Sequence, residues 1–389
     1  MKMLTRTFLL IHWLFSCFIG NMVSANEAEG DTIYNLVSLE PIFKFNAYGF
    51  VLTRPSVVDG AVYFGASGEG SSPRRPRPHN FYALDSESGD LQWSFPSIGG
   101  VRSSAVVIGK YVIFGSRKNA SLDDSGKGRV YALDRFKGSR IWSYRTKNSV
   151  IMPPLILDDS VFSGCTDGYV YSIDLTSGEE NWVISVGGSI FADFEVFENI
   201  LFVGNLGGRF VAVDAEKGEE VWSFESESKI DGKATVYGDD VLVSSGGTIY
   251  RFDAVTGAEI GTYRLGSEVY TNFTLVDDIL YFGSDEIIYA FDLMTREIVW
   301  QFAAELRVTT PVVSKGLIYF GSADHHLYVV DEKTGTEVAR YHAGHAILGE
   351  PTVSDGVVYF GASDGMRLYA LQIVRGDAQA GPWKGSNAK

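Results

Sequence analysis

Residues 161–182, with the sequence VFSGCTDGYVYSIDLTSGEENW, show alternating apolar runs separated by turn residues. Two short runs with β-type composition, 161–164 and 169–174, flank a Thr-Asp-Gly sequence that favours a tight hairpin turn. A Ser-Gly pair at 177–178 predicts a second turn, and the final tryptophan puts a large apolar ring on a third strand. The segment therefore predicts three strands of a sheet that cannot bury its own faces.

The same pattern recurs along the chain with a period close to 40 residues. An aspartate ends the third strand of each unit, and successive units are 49, 40, 40, 39, 39, 39 and 41 residues apart. Four short strands repeated at this period are typical of β-propeller blades. The repeated positions are Asp85, Asp134, Asp174, Asp214, Asp253, Asp292 and Asp331, with Gln372 in the eighth place.

The two ends of the chain complement each other. The eighth unit has no fourth strand after it, but residues 41–45 resemble an outer strand. Outer and next inner strands are 12 residues apart, as from Tyr144 to Ile156, and Phe45 and Val57 have the same spacing. We therefore predict an all-β, eight-bladed β-propeller with four antiparallel strands per blade, closed by an N-terminal strand that completes the last blade.

The N-terminus predicts secretion. Lys2 and Arg6 precede an apolar run of about a dozen residues, and small residues precede Asn26, as in a secretory signal. The alternative is a lipoprotein cleavage box that ends at Cys17, and membrane association is expected only if Cys17 is lipidated. Both predict secretion across the inner membrane, to the periplasm or the outer membrane. The predicted parts are a signal peptide at 1–25, a polar lead-in at 26–37, the propeller at 38–372 and a polar C-terminal tail at 373–389.

Composition and charge exclude several classes of protein. The chain has 389 residues and a net charge of −15, whereas a nucleic-acid-binding surface is normally basic, so no nucleic acid is expected as a partner. Cys17 and Cys165 are the only cysteines, which excludes a disulfide framework. Cys165 is predicted to be a buried structural thiol. We expect a monomer.

The repeat resembles that of pyrroloquinoline-quinone-type propellers. The block Ala-x-Asp-x-x-Thr/Ser-Gly-x-x-x-Trp carries the resemblance, at 83–93 and again at 212–222, and it covers nearly the whole chain after the signal. In that family the tryptophan docks between blades and the aspartate ties down the turn. Gly261, Ala339 and Phe43 replace the tryptophan in blades 5, 7 and 8, so docking there should be weaker. The resemblance implies docking by Trp93, Trp142, Trp182, Trp222 and Trp300.

Two branches of that family differ in function. Quinoprotein dehydrogenases use the quinone as oxidant with a calcium ion and a carboxylate base, and their chains are usually far longer. This chain has no insertion long enough to cover a cofactor, so neither pyrroloquinoline quinone nor calcium is expected. The resemblance implies the non-enzymatic branch that takes part in outer-membrane protein assembly, a scaffold for protein–protein interaction. A quinone-dependent dehydrogenase and a carbohydrate or cell-surface ligand binder are the alternatives.

The histidines provide few ligands for catalysis or metal binding. His79, His325, His326, His342 and His345 are predicted to lie in loops on one face of the disc. Solvated loop histidines are the expectation, with a weak metal site as the alternative. No catalytic, cofactor-binding or metal-binding residue is assigned.

Positive charge is concentrated in one sector of that face. Blades 1 and 2 contain the only insertions, at 68–80 and 117–127, and the neighbouring links between blades add further cations. This sector is predicted to receive an acidic partner, an anionic lipid headgroup or a sugar acid, with soluble loops that bind nothing as the alternative. The predicted partner-binding residues are Arg74, Arg75, Arg77, Arg102, Arg117, Lys118, Lys127, Arg145 and Lys147.

Alignment of the starts of the inner strands predicts a ring of equivalent residues at the mouth of the central channel. Adjacent blades there contribute opposite charges, which predicts the ion pairs Arg54–Glu350 and Asp193–Lys233. Each pair is expected to contribute no more than about 1 kcal/mol. Ligand binding at this ring is the alternative. The ring positions are Arg54, Ser104, Pro153, Asp193, Lys233, Asn272, Thr310 and Glu350.

Overall fold

The computed structural model describes residues 37–68, 79–117, 127–363 and 365–375 as a series of short strands. Strand β1 spans Val37–Asn46. Blades 1 to 4 consist of β2–β5 (Ser56–Val58, Ala61–Ala66, Asn80–Asp85, Leu91–Pro96), β6–β9 (Val106–Ile108, Tyr111–Ser116, Arg129–Asp134, Arg140–Arg145), β10–β13 (Leu155–Leu157, Ser160–Gly164, Tyr169–Asp174, Glu180–Ser185) and β14–β17 (Glu195–Phe197, Ile200–Gly204, Arg209–Asp214, Glu220–Glu225). Blades 5 to 8 consist of β18–β21 (Thr235–Tyr237, Asp240–Ser245, Thr248–Asp253, Glu259–Arg264), β22–β25 (Thr274–Val276, Ile279–Ser284, Ile287–Asp292, Glu297–Ala303), β26–β29 (Val312–Ser314, Leu317–Gly321, His326–Asp331, Glu337–His342) and β30–β32 (Thr352–Ser354, Val357–Ala362, Arg367–Arg375) with β1.

The sheets confirm the predicted eight-bladed propeller. Each of the eight sheets has four antiparallel strands, and the last has the order β1-β32-β31-β30. Strand β1 therefore completes the last blade, in a register that runs from Val37 opposite Arg375 to Asn46 opposite Arg367. Strand β32 continues to Arg375, three residues past the predicted end of the propeller at 372, because residues 37–40 pair with it. No helix within the described residues could cross a membrane, and the predicted signal peptide with Cys17 lies outside them.

Two faces follow from the strand order. The upper face carries the links between blades and the turns between second and third strands, and the lower face carries the other turns. On the lower face the repeated aspartate caps the turn: Asp85 Oδ1 accepts from the amides of Ser88 and Glu87, at 2.9 and 3.0 Å. These hydrogen bonds favour the carboxylate and lower the pKa of Asp85.

The core lies between the blades. Aromatic and aliphatic side chains of the second and third strands of neighbouring blades interdigitate, as where the Phe81 and Phe114 rings stack with their centroids 4.2 Å apart. Cys165 is part of this core, in blade 3, and its burial raises the pKa of the thiol to about 12. Successive residues of these strands face the preceding and the following blade in turn. Each blade therefore buries both of its apolar faces against its two neighbours.

Candidate functional site

The tryptophans of the repeat lie at the interfaces between blades. Trp93 Nε1 donates a hydrogen bond to the carbonyl oxygen of Arg135 in the next blade, at 2.8 Å. Its indole covers Gly138, where a Cβ atom would lie 2.6 Å from the ring. Each such contact between a repeat tryptophan and the next blade is called a dock. At the other four docks the indole Nε1 donates the equivalent hydrogen bond to a backbone carbonyl oxygen, from Trp142 to Leu175, Trp182 to Ala215, Trp222 to Ala254 and Trp300 to Glu332.

The closing interface uses a different aromatic pair. Phe43 of β1 packs over Gly89, where a Cβ atom would lie 2.4 Å from the ring. Phenylalanine has no donor, and the Tyr359 hydroxyl instead donates to the carbonyl oxygen of Ser86, at 3.1 Å. This carbonyl oxygen occupies the position that accepts from the indole at the tryptophan docks. Phe43 therefore replaces the ring of the missing tryptophan, and Tyr359 replaces its hydrogen bond.

The predicted ring of residues at the channel mouth, here called the axial ring, includes a hydrogen-bond network that spans the channel. Asn272 Nδ2 donates to Asp193 Oδ2 and to Glu350 Oε1, both at 3.2 Å. Thr310 Oγ1 donates to the same Glu350 oxygen at 2.6 Å. Asp193 and Glu350 precede the inner strands of blades 4 and 8, which are opposite in an eight-bladed ring. One amide side chain thus connects the two halves of the ring across its axis.

One of the two predicted ion pairs has the wrong partner. Arg54 Nη1 lies 3.7 Å from Glu350 Oε2, as the sequence predicts. The predicted pair of Asp193 with Lys233 is not formed, because Lys233 Nζ lies 3.0 Å from Glu195 Oε2. Glu195 belongs to the same blade as Asp193 but is two residues further along the chain, within reach of the long lysine side chain. The inter-blade contact therefore exists with a different carboxylate.

Asp193 has an unusual titration. The protein surrounds its carboxyl group within the channel, and this desolvation together with the negative charge of Glu350 raises its pKa to about 7. Arg54, Lys233 and the Asn272 hydrogen bond act in the opposite direction. The Asp193 carboxyl group therefore keeps its proton to a higher pH than an ordinary aspartate does.

Replacement of Asp193 by asparagine should increase the stability of the protein at pH 8. The folded pKa of about 7 is higher than the value of about 4 in an unfolded chain, so the unfolded state releases its proton first as the pH rises. Asp193 then lowers the free energy of unfolding between about pH 4 and 7, and above pH 7 the loss is complete. Solvent reaches the channel and screens the charge, so we expect D193N to gain about 1–2 kcal/mol at pH 8 and nothing at pH 4. Urea unfolding at both pH values tests this, and an equal effect at both would contradict it.

The axial ring does not fit a calcium ion with a quinone. Calcium takes about six to eight oxygen ligands. Asn272 instead directs its donor nitrogen at both carboxylates, and its Oδ1 accepts from the Lys233 amide at 2.8 Å. Arg54 adds a positive charge to the ring, and the described residues contain no cluster of three acidic, histidine or cysteine ligands suited to a metal. The carboxylates are held by donors of this chain.

The histidines of blade 7 are closer together than predicted. His326 and His342 lie directly opposite each other at the ends of β28 and β29, not in loops, with ring centroids 4.9 Å apart. The ring centroids of His325 and His342 are 6.1 Å apart, and His326 Nδ1 lies 3.2 Å from Asp324 Oδ1. His79 Nδ1 accepts from the Gly68 amide in blade 1. The strand pairing of blade 7 brings the His326 and His342 rings together.

The predicted cationic surface is partly described. Arg74, Arg75, Arg77 and Lys118 lie outside the described residues, whereas Arg102, Arg117, Lys127, Arg145 and Lys147 lie within them. Backbone contacts hold several of the described members on neighbouring links and strands. The Arg117 amide donates to Gly100, beside Arg102, and Arg145 pairs with Arg129 across β8 and β9.

The links around Lys127 and Lys147 are held especially closely. The Gly128 amide donates to the backbone carbonyl oxygen of Asn148 at 2.9 Å, and the Thr146 amide donates to that of Gly128 at 3.1 Å. A Cβ atom at Gly128 would lie 2.1 Å from the Asn148 oxygen, so only glycine permits this approach. Lys147 Nζ lies 4.0 Å from the centroid of the Tyr169 ring. Both lysines are exposed on a backbone that the sheet of blade 2 positions.

Comparisons with known proteins identify relatives of the repeat. The family described as outer membrane protein assembly factor BamB matches residues 80–190, 166–280 and 284–381. A search of curated proteins gave no significant match.

Three solved structures have the same fold at low sequence identity. BamB from Moraxella catarrhalis is 20% identical, with a TM-score of 0.70 over 86% of this chain and 100% of that chain. Quinohemoprotein alcohol dehydrogenase from Comamonas testosteroni is 14% identical, with a TM-score of 0.71 over 93% of this chain and 80% of that chain. The computationally designed protein Ika8 is 18% identical, with a TM-score of 0.70 over 86% of this chain and 99% of that chain. A shared fold does not determine function, and these likenesses establish the fold alone.

Proposed function

The chain belongs to the family of outer membrane protein assembly factor BamB, and from this membership we propose that it is a non-catalytic propeller scaffold that binds a partner protein. The cationic sector of blades 1 and 2 is the proposed binding surface. A partner with an acidic surface fits this sector, because complementary charge accelerates association and selects the partner.

The concentration of exposed cations on an acidic protein is the observation that carries this proposal. The net charge is −15, so most of the surface repels an acidic partner. Lys127 and Lys147 lie side by side on the upper face, and Arg145, which is also exposed, belongs to the same sheet. A partner would meet the described residues of this sector, such as Lys127 and Lys147, with little rearrangement, because strands of blades 2 and 3 fix their backbone.

The proposed location follows from the family description and from the predicted signal at residues 1–25, which lie outside the described residues. The protein would act in the periplasm or at the outer membrane. Intact mass of the mature protein distinguishes the two processing routes. A mass that starts at Asn26 supports signal cleavage, and an acylated Cys17 supports anchoring in the membrane.

Reversal of two lysine charges on the proposed surface should weaken partner capture. We expect the double variant Lys127→Glu and Lys147→Glu to recover at least tenfold less of its partner from a native envelope extract than the unchanged protein does. Reversal of one charge at the rim of an interface weakens the binding free energy by about 1 kcal/mol or more. About 1.4 kcal/mol corresponds to a tenfold change in affinity, so two reversals exceed it. The measurement is quantitative mass spectrometry of the captured proteins.

The matched control changes two lysines on the lower face, Lys137→Glu and Lys333→Glu. Both lie in aspartate-capped turns and are exposed, so their reversal changes the net charge equally. Equal capture by both double variants would contradict the proposed surface. Dye reduction from an alcohol or a sugar after reconstitution with quinone and calcium would instead support a dehydrogenase, and specific binding to a glycan array would support a carbohydrate binder.

A further inference from the structure

A cavity of about 640 Å³ opens on the lower side of the interface between blades 8 and 1. Its volume is within the range of about 300–1,000 Å³ that is usual for small-molecule sites. Part of its wall is apolar, from Ile42 of β1, Val57 of β2 and Val357 of β31. The described residues that line it include no cationic side chain but three carboxylates, which are those of Asp59, Glu87 and Asp355.

The aromatic pair that closes this interface leaves the cavity open. Phe43 packs over Gly89 and is not part of the lining, whereas Tyr359 contributes to the wall. Gln372, which also lines the cavity, stands in place of the repeated aspartate, and β32 pairs with β1 instead of turning into a fourth strand. Blade 8 therefore lacks the aspartate-capped turn that the other seven blades have on the lower face.

The interface between blades 1 and 2 shows what fills the equivalent place there. Arg135 of blade 2 reaches back to blade 1, where its Nη2 lies 2.6 Å from Asp59 Oδ2. Its Nη1 donates to the carbonyl oxygen of Gly109 at 3.2 Å, and its guanidinium carbon lies 4.9 Å from the centroid of the Phe136 ring. The Arg135 side chain is only 11% exposed. A guanidinium group thus fits between the lower turns of two blades, against an aspartate at the rim.

The interface between blades 8 and 1 has the same aspartate but not the arginine. Asp355 and Asp59 each begin the turn between the first and second strands of their blade, and their φ angles are 50° and 47°. Ser86 has the position of Arg135, because the amides of both residues donate to equivalent carbonyl oxygens in the corresponding turns of their own blades. A serine carries no charge, so Asp355 lacks the cation that Asp59 has.

The cavity is also more negative than its counterpart between blades 1 and 2. Glu87 has the position of Phe136, so a second carboxylate replaces the ring beside the guanidinium. No cation of the described residues forms an ion pair with Glu87 or Asp355. Burial raises the pKa of the Tyr359 hydroxyl, and the negative charges of both carboxylates act in the same direction. Carboxylates beside an apolar wall favour an organic cation, because its alkyl part and its charge both find a contact.

We propose that this cavity binds an alkylguanidinium group, the chemistry of an arginine side chain, from a ligand outside the chain. The guanidinium takes the place that Arg135 has at the next interface, with its charge against Asp355 and Glu87. Its alkyl chain lies against Val57 and Val357. A guanidinium keeps its charge at every physiological pH and matches the planar geometry of a carboxylate. The site is on the lower face and is independent of the proposed partner surface on the upper face.

Methyl NMR of the folded protein tests this proposal, with Nα-acetyl-arginine methylamide as the probe. We expect saturable shifts of the Val57 and Val357 methyl resonances. The citrulline analogue has the same size but no charge, and it should bind at least tenfold more weakly. The double variant Glu87→Gln and Asp355→Asn should also bind the arginine probe about tenfold more weakly, because both carboxylates that face the guanidinium are lost.

The matched control is the double variant Asp158→Asn and Glu216→Gln. Its residues have the equivalent turn positions between blades 3 and 4, where Trp182 forms a dock, and both are exposed. It changes the net charge equally and should bind the probe as the unchanged protein does. Equal losses of affinity in the two double variants would overturn the proposal.

A second pair of variants fills the cavity from the chain itself. Ser86→Arg should place a guanidinium against Asp355, as Arg135 lies against Asp59, and abolish binding of the probe, whereas Ser86→Ala should leave it unchanged. Unchanged affinity of Ser86→Arg, equal binding of the arginine and citrulline probes, or an absence of saturable shifts would each overturn the proposal. Tighter binding of agmatine than of the amide probe would identify a free small molecule as the ligand, and tighter binding of a pentapeptide with a central arginine would identify a polypeptide. Both results support the guanidinium site.

Discussion

A chain that begins at Tyr48 and therefore lacks β1 is expected to lose cooperative folding at 37 °C. Strand β1 pairs with β32 along its length, and its loss leaves β32 as an exposed edge that favours aggregation. The deletion also removes Phe45, whose ring contacts Phe64 and Tyr82 of blade 1 at centroid distances of 6.0 and 5.3 Å. Circular dichroism during heating, together with light scattering, measures the loss.

The matched control is a chain that begins at Val37, which removes the same kind of N-terminal sequence but keeps β1. This chain should melt as the longer protein does. A synthetic peptide of residues 37–46 should restore folding of the shorter chain, because strand addition replaces the missing hydrogen bonds. A cooperative melting transition of the chain from Tyr48 at the unchanged temperature would show that the ring does not need this closure.

Replacement of Trp142 by alanine is expected to lower the free energy of unfolding by about 3–5 kcal/mol. Its indole is 7% exposed and packs over Gly178 of blade 3. The substitution also leaves the Leu175 carbonyl oxygen without the indole donor, which lies 2.8 Å away. Trp142→Phe keeps most of the buried ring but loses that hydrogen bond, so we expect a smaller loss of about 1–2 kcal/mol. Urea unfolding with a common slope measures both values.

Trp182→Ala provides the comparison at a less buried dock. Its indole is half-buried, although it donates an equivalent hydrogen bond to Ala215. The loss at Trp182 should therefore be smaller than at Trp142. Equal losses of less than 1 kcal/mol at both positions would refute the claim that the tryptophans hold neighbouring blades together.

The fold could be predicted from the sequence because every blade repeats the same short sequence pattern. Turn residues, strand alternation and the repeated aspartate define each unit, and the 12-residue spacing from Phe45 to Val57 identified the closing strand. The continuation of β32 to Arg375 was missed, because the polar sequence after it outweighed the two apolar residues Ile373 and Val374. Pairing with residues 37–40 turns this stretch into a strand.

The axial ring could be predicted only in part. Equivalent positions in successive blades correctly placed Arg54 next to Glu350. Lys233 departs from this expectation, because its long flexible side chain can reach either of two carboxylates on the neighbouring blade and pairs with Glu195. The bridge from Asn272 to Asp193 and Glu350 crosses the axis, and a period of 40 residues contains no information about contacts between non-adjacent blades.

The proposed partner-binding surface depends least on the repeat. Its residues lie where blades 1 and 2 depart from the common pattern, and the blade framework determines only how the flanking links approach each other, as at Gly128 and Asn148. Charge on exposed links contributes little to folding, so neither the packing nor the period specifies it.

Photo-crosslinking in the native envelope tests the proposed binding surface most directly. A photoreactive amino acid is placed in turn at Lys127 and Lys147 on the upper face, and at Lys137 and Lys333 on the lower face. We expect a covalent adduct with the same acidic partner protein from both upper positions and from neither lower position. Adducts of equal yield from both faces, or adducts from the lower positions alone, would contradict it.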